Sequence, residues 1–141
     1  MISTELKTTI QGAYSRFLEA KSLKPRYGQR LMIAEVAKVL GDIDTDDEGR
    51  RSGDPAIVAV EAGTGTGKTV AYSLAAIPTA KAAGKRLVIA TATVALQEQI
   101  VYKDLPDLMR NSGLNFTFAL AKGRGRYMCP VSYTHLRAHE T

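Results

Sequence analysis

Glu61-Ala62-Gly63-Thr64-Gly65-Thr66-Gly67-Lys68-Thr69 is the stretch on which the fold turns. It has the spacing of a phosphate-binding loop, G-x-x-x-x-G-K-T, with Ala62 where the strict pattern has Gly. Just before it, Ala56-Ile57-Val58-Ala59-Val60 is a β-branched run that reads as a buried parallel strand. The segment from Val70 to Ala83 reads as a helix. Strand, Gly-rich turn and helix in that order aim the backbone N–H groups of Gly65, Thr66, Gly67 and Lys68 at a polyphosphate. Gly63, Gly65 and Gly67 allow the close approach and unusual φ values that side chains block. Lys68 is expected to reach the β- and γ-phosphates as a point charge, and the Thr69 hydroxyl to take one ligand position on Mg²⁺.

The 141 residues are 45% hydrophobic and 23% charged, enough apolar material for one domain with a real core. A net charge of +5 favours polyanionic partners. The basic residues gather at Lys21, Lys24, Arg26 and Arg30, at Lys81, Lys85 and Arg86, and at Lys122, Arg124 and Arg126, although each cluster alone fits a solvated face. Glu5 and Lys7 precede any apolar run, which argues against a secretory signal. Thr69 to Ala80 is too short to cross a bilayer and contains Pro78, so no membrane partner is expected and the location reads as cytoplasmic. The one cysteine, Cys129, leaves no disulfide within the chain and agrees with a reducing compartment.

Working outward from the loop, helical spacing of Leu6, Ile10, Ala13 and Phe17 predicts a helix from about Thr4 to Ala20, capped by Ser3 or Thr4. A second helix is predicted from Tyr27 or Gly28 to Leu40, with Met32, Val36 and Val39 inward and Gly41 closing it. Residues 41–55 read as a polar surface loop. Its Asp42, Asp44 and Asp46 fall on calcium-loop spacing, but Asp47 and Gly53 stand where that loop needs Gly and a bidentate Glu. Downstream of the phosphate loop, Val70, Leu74 and Ile77 form the inward side of a helix bent or ended near Pro78 and released at Gly84. Arg86 to Thr91 and Asn115 to Ala121 read as further strands, and a helix capped by Thr93 runs from Val94 to about Lys103, before Pro106. Alternating strands and helices at this spacing make the fold class α/β, a P-loop NTPase (RecA-like) parallel sheet with flanking helices.

Three flanking motifs narrow the choice among phosphate-loop proteins. Pro25-Arg26-Tyr27-Gly28-Gln29-Arg30 resembles the Q-motif of superfamily 2 helicases, in which the amide of Gln29 would read an adenine edge. Ala90-Thr91-Ala92-Thr93-Val94-Ala95-Leu96-Gln97 resembles motif Ia, which implies contacts from Thr91, Thr93 and Gln97 to a nucleic-acid backbone. Lys122-Gly123-Arg124-Gly125-Arg126-Tyr127-Met128-Cys129 is similar to the segment that brings the first cluster cysteine in XPD-like helicases. Ala at the position of Ala62 is familiar among helicases. Over residues 1 to about 129 the chain thus resembles the amino-terminal part of the bacterial, XPD-like DNA helicases.

That resemblance implies ATP and Mg²⁺ bound by Gln29 and residues 62–69, including Thr64, with Lys68 and Thr69 as the catalytic pair. It also implies a four-iron, four-sulfur cluster with Cys129 as one of four ligands, and 5′ to 3′ unwinding of DNA, with single-stranded and forked DNA as partners. The chain is expected to divide into amino-terminal helices (1–40), the polar loop (41–55) and the first part of an incomplete motor domain (56–129). Residues 130–141 form a tail that resembles translated sequencing adaptor and is taken as foreign. Its His135 and His139 with Cys129 make too few ligands for zinc. No D-E-x-H or D-E-x-D occurs, and only about sixty residues precede the loop, so neither the acidic motif nor an exonuclease domain is expected in this piece. By itself the fragment is expected not to unwind DNA. A non-catalytic module binding ATP or single-stranded DNA is the alternative. A small-molecule kinase would need lid arginines and an acceptor site that the sequence does not display.

Overall fold

A computed structural model of the chain describes residues 1–127. Cys129, His135, His139 and the tail lie outside the described residues.

Helix α1 (Thr4–Ala20) starts where Ser3 Oγ accepts from the Leu6 N–H at 3.1 Å, with Glu5 at the positive end of the helix dipole. It stops at Ser22, held at φ 52, where Leu23 N–H donates to Leu18 O at 2.8 Å and Ser22 N–H to Glu19 O at 3.1 Å. These are the two bonds of a Schellman stop, which favours glycine at its left-handed residue. Ser22→Gly is therefore expected to raise stability by about 0.5–1 kcal/mol. A lower thermal midpoint in the variant would count against this account.

Helix α2 (Tyr27–Gly41) buries Met32, Ile33 and Ala37, with Val36 and Val39 half-buried. The sequence predicts that the helix runs to Leu40 with Gly41 closing it, and here the structure corrects that expectation. Gly41 is the last helical residue, and a Cβ there would lie 2.7 Å from Ile2 Cγ1. Close approach of the amino terminus, not backbone handedness, is what calls for glycine.

Helix α3 (Lys68–Ala82) follows the phosphate loop and is the centre of the packing, touching both α1 and α2. Its burial is nearly all round, from Ala71 through Thr79 with only Tyr72 half-buried. A helix covered on every side needs no polar face. Pro78 neither ends it nor caps it, because the buried turns around it offset the roughly 3 kcal/mol that an interior proline costs. The stop comes at Gly84 (φ 63), with Lys85 N–H on Ala80 O at 2.9 Å and Gly84 N–H on Lys81 O at 3.1 Å.

Helix α4 (Val94–Gln99) does not finish near Lys103. It passes through a π-helical turn (Ile100–Asp104) into α5 (Leu105–Asn111). Leu105 N–H reaches back five residues to Ile100 O, and Pro106 then falls in the opening turn of α5, where a missing N–H is tolerated. Leu105 and Leu108 are buried, and an ion pair from Lys21 to Asp107 ties the end of α1 to α5.

The polar loop 41–55 is tighter than a plain surface loop. One antiparallel bridge joins Thr45 and Arg51, and the Asp46 carboxylate accepts from Glu48 N–H at 3.0 Å and Arg50 N–H at 2.8 Å.

The three predicted strands are where the fold departs most from expectation. Residues 56–60, 86–91 and 115–121 carry no sheet ladder; among the described residues there is no strand. Ile89, Leu114 and Phe116 pack partly on the helical core, while Ile57 (83% exposed) and Val88 (84%) face outward. A β-branched run specifies a pleated, half-buried surface, but a strand exists only when a neighbour takes its N–H and C=O groups. Among the described residues no neighbouring segment takes these groups, so the edges stay unpaired.

Candidate functional site

The phosphate loop reaches α3 through two left-handed glycines, Gly65 (φ 77) and Gly67 (φ 73), and Gly67 is the cap residue of the helix. Among the described residues, no backbone carbonyl accepts from the N–H groups of Gly65, Thr66, Gly67 or Lys68. A Cβ at Gly63 or Gly65 would meet nothing within 4 Å, so the mouth of the loop is open. Open N–H donors at a helix start are a cradle that fits phosphate oxygens.

The loop's own side chains brace it. Thr66 Oγ1 donates to Gly63 O at 2.7 Å, and Lys68 Nζ donates to Ala62 O at 2.8 Å and Gly63 O at 3.3 Å. The Lys68 ammonium thus lies over the loop's carbonyls, on an exposed side chain free to swing to a stronger acceptor. Thr64 is exposed, and Thr69 is half-buried. Lys68 and Thr69 border a cavity of about 360 Å³ whose apolar wall includes Met32, Val36, Val58, Val60 and Leu96. The phosphate loop and the start of α4 therefore share one space.

Gln29 sits closer to the loop than the sequence implied. It is 9% exposed, and its Nε2 donates to Gly67 O at 3.3 Å. Two further residues were missed by sequence reasoning. Arg26 Nη1 donates to Gly65 O at 2.6 Å, and the Tyr14 hydroxyl donates to Gln29 Oε1 at 3.0 Å. Tyr14 carried no signal of its own within α1; Arg26 was visible as a member of a basic cluster and of the Q-motif-like stretch, with no contact to the loop implied by either. A Cβ on Gly67 would overlap the Gln29 amide nitrogen, and the position is left-handed as well. Gly67→Ala is expected to cost at least about 1–2 kcal/mol and to break the Gln29 bond. An unchanged melting curve in this variant would refute that role.

Thr91, Thr93 and Gln97 come together at the start of α4. Thr93 Oγ1 accepts from Leu96 N–H at 3.2 Å as the helix cap, and Thr91 Oγ1 donates to Thr93 O at 3.2 Å. Gln97 Nε2 donates to Ala121 O at 3.3 Å, and its Oε1 accepts from Arg126. Gln97 thus joins the motif Ia segment to the Lys122–Arg126 segment, a link that spacing along the chain does not reveal. No group of three or more His, Cys, Asp and Glu side chains suited to a metal ion occurs among the described residues.

Residues 49–127, more than half of the chain, match the family DEAD/DEAH box helicase. The chain belongs to the DEAD/DEAH box helicase family. Membership implies a P-loop NTPase fold. The chain is 41% identical over 130 residues to the ATP-dependent DNA helicase DinG of Photobacterium profundum, covering 92% of this chain and 18% of that protein. Against the protein of the same name from Escherichia coli (strain K12) it is 41% identical over 140 residues, covering 99% and 18%. With that of Salmonella choleraesuis it shares 45% over 116 residues, covering 82% and 15%. The chain therefore spans less than one fifth of the length of these relatives.

Proposed function

We propose that this chain is the nucleotide-binding beginning of an ATP-dependent DNA helicase that moves 5′ to 3′ along one strand. The observation that carries the reading is the phosphate loop: open N–H donors between Gly65 and Lys68, left-handed Gly65 and Gly67, and an exposed Lys68 ammonium. Its identity to DNA helicases over most of its length supports the same reading. In the complete protein, residues 56–60, 86–91 and 115–121 become strands of a parallel sheet once their neighbours are present.

Bound ATP and Mg²⁺ supply a triphosphate whose cleavage drives movement along DNA. The chain's residues bind and orient it. Lys68 Nζ leaves the Ala62 and Gly63 carbonyls for the β- and γ-phosphate oxygens, where a full negative charge outcompetes two neutral acceptors. The N–H groups of residues 65–68 would hold the phosphates, and the Thr69 hydroxyl would supply one ligand to Mg²⁺. Gln29 contacts the base, and Thr91, Thr93 and Gln97 line the path of the DNA backbone near Arg126. Phosphoryl transfer of this kind asks the protein for position and charge rather than covalent chemistry. Acting on DNA, such a protein works in the cytoplasm. No helix among the described residues is long and apolar enough to cross a membrane.

The iron–sulfur cluster does not find its ligand set in this chain. Such a cluster takes four thiolates, the chain has the one cysteine, and Cys129 lies outside the described residues. No step here depends on it.

Two measurements test the reading. The chain should bind MgATP, and the complete protein should show DNA-stimulated ATP hydrolysis with unwinding from a 5′ single-stranded tail. Salt-sensitive DNA binding with no nucleotide binding and no hydrolysis in the complete protein would support a non-catalytic binding module instead.

A further inference from the structure

The Gln29 amide is held from both sides by protein. Arg26 N–H donates to Tyr14 Oη at 3.3 Å, Tyr14 Oη donates to Gln29 Oε1 at 3.0 Å, and Gln29 Nε2 donates to Gly67 O at 3.3 Å. The direction of every bond in this series is forced. A backbone N–H can only donate, so the Tyr14 hydroxyl accepts there and spends its single proton on Gln29 Oε1. A backbone carbonyl can only accept, so the NH₂ end of the amide must face Gly67.

A carboxamide has two N–H donors and an oxygen with two lone pairs. Tyr14 and Gly67 take one lone pair and one N–H, which leaves one acceptor and one donor for a ligand. Adenine presents an N6 amino donor beside the N7 acceptor, and guanine presents two acceptors, O6 and N7. With the amide fixed in this orientation, adenine satisfies both remaining groups, whereas guanine sets its O6 against the Oε1 lone pair. Swinging the NH₂ group round so that both of its N–H donors face guanine's two acceptors would break the bonds to both Tyr14 and Gly67.

We propose that Tyr14 is a positioning residue that sets nucleotide specificity: its hydroxyl locks the Gln29 amide in the orientation that accepts adenine and rejects guanine. The same bonds reach Gly67, the residue before Lys68, so base recognition and the shape of the phosphate loop are joined through one side chain. This deepens the nucleotide-binding reading above and rests on it.

The test measures equilibrium binding of MgATP, MgGTP and inorganic triphosphate to the full chain, to Tyr14→Phe and to Gln29→Ala. The expected result is an ATP preference in the wild type that shrinks about tenfold in Tyr14→Phe, the worth of one neutral hydrogen bond, with triphosphate affinity unchanged. A Tyr14→Phe chain that keeps the ATP-to-GTP ratio while Gln29→Ala loses it would overturn the proposal. A wild type that binds triphosphate with no ATP preference would overturn it too, yet leave the phosphate loop standing. Failure of the wild type to bind any of the three ligands would remove the nucleotide-binding reading and the proposal together. A measurement on the wild type alone guards against a variant that does not fold. The Gln29 carboxamide protons should exchange with solvent about tenfold more slowly than those of the exposed Gln11. Equal exchange would mean the amide is not locked and would likewise overturn the proposal.

Discussion

Lys68→Ala, placed in the complete protein, is expected to lower DNA-stimulated ATP hydrolysis by about 10²–10³-fold, the usual cost of removing one fixed stabiliser of developing charge. The fold should survive the change. Lys68 is exposed, and its ammonium bonds only to Ala62 O and Gly63 O, two carbonyls that water can serve instead. Loss of activity with an unaltered melting curve would therefore report the phosphate contact rather than unfolding. Lys81, at the far end of the same helix, bonds Asn115 O at 2.9 Å. Lys81→Ala serves as the control, with turnover expected near that of the wild type. Full turnover in Lys68→Ala would sink the assignment of Lys68.

Leu74→Ala is expected to destabilise the chain by about 2–5 kcal/mol, from lost burial together with the cavity left behind. Leu74 is fully buried in α3, the helix against which α1 and α2 both pack. A domain of this size has only about 5–15 kcal/mol to lose. This chain should sit at the low end, because Ile57 and Val88 are exposed on extended segments with unpaired edges, a surface that invites association. Denaturant titration followed by circular dichroism should show Leu74→Ala largely unfolded under conditions where the wild type is folded. A soluble wild-type monomer that melts sharply at high temperature, with Leu74→Ala little changed, would contradict both expectations.

Helix α1 shows how much local sequence carries. Ser3 as cap, Ile10, Ala13 and Phe17 as the buried face, and the span Thr4–Ala20 all follow from side-chain chemistry acting within a few residues. Proline was the less reliable guide. Pro78 and Pro106 each cost a helix one bond, but burial around the first and a π-turn before the second keep the helices going. Whether a proline ends a helix depends on what packs against the neighbouring turns, which local spacing does not contain.

The sequence by itself determined the phosphate loop, because its glycines, lysine and threonine act through backbone geometry and charge that neighbours four residues away already define. It likewise determined α1, the stop at Gly84 and the cap at Thr93, all held by bonds across three to five residues. Only the tertiary structure decided that Arg26 braces the loop, that Gln29 is bound to it and held in turn by Tyr14, and that Gln97 meets Arg126, because these bonds join residues 12 to 39 positions apart. A sheet is likewise a matter of tertiary structure, and no ladder forms among the described residues. A helix closes its hydrogen bonds within itself, whereas a strand borrows its partners from elsewhere in the fold.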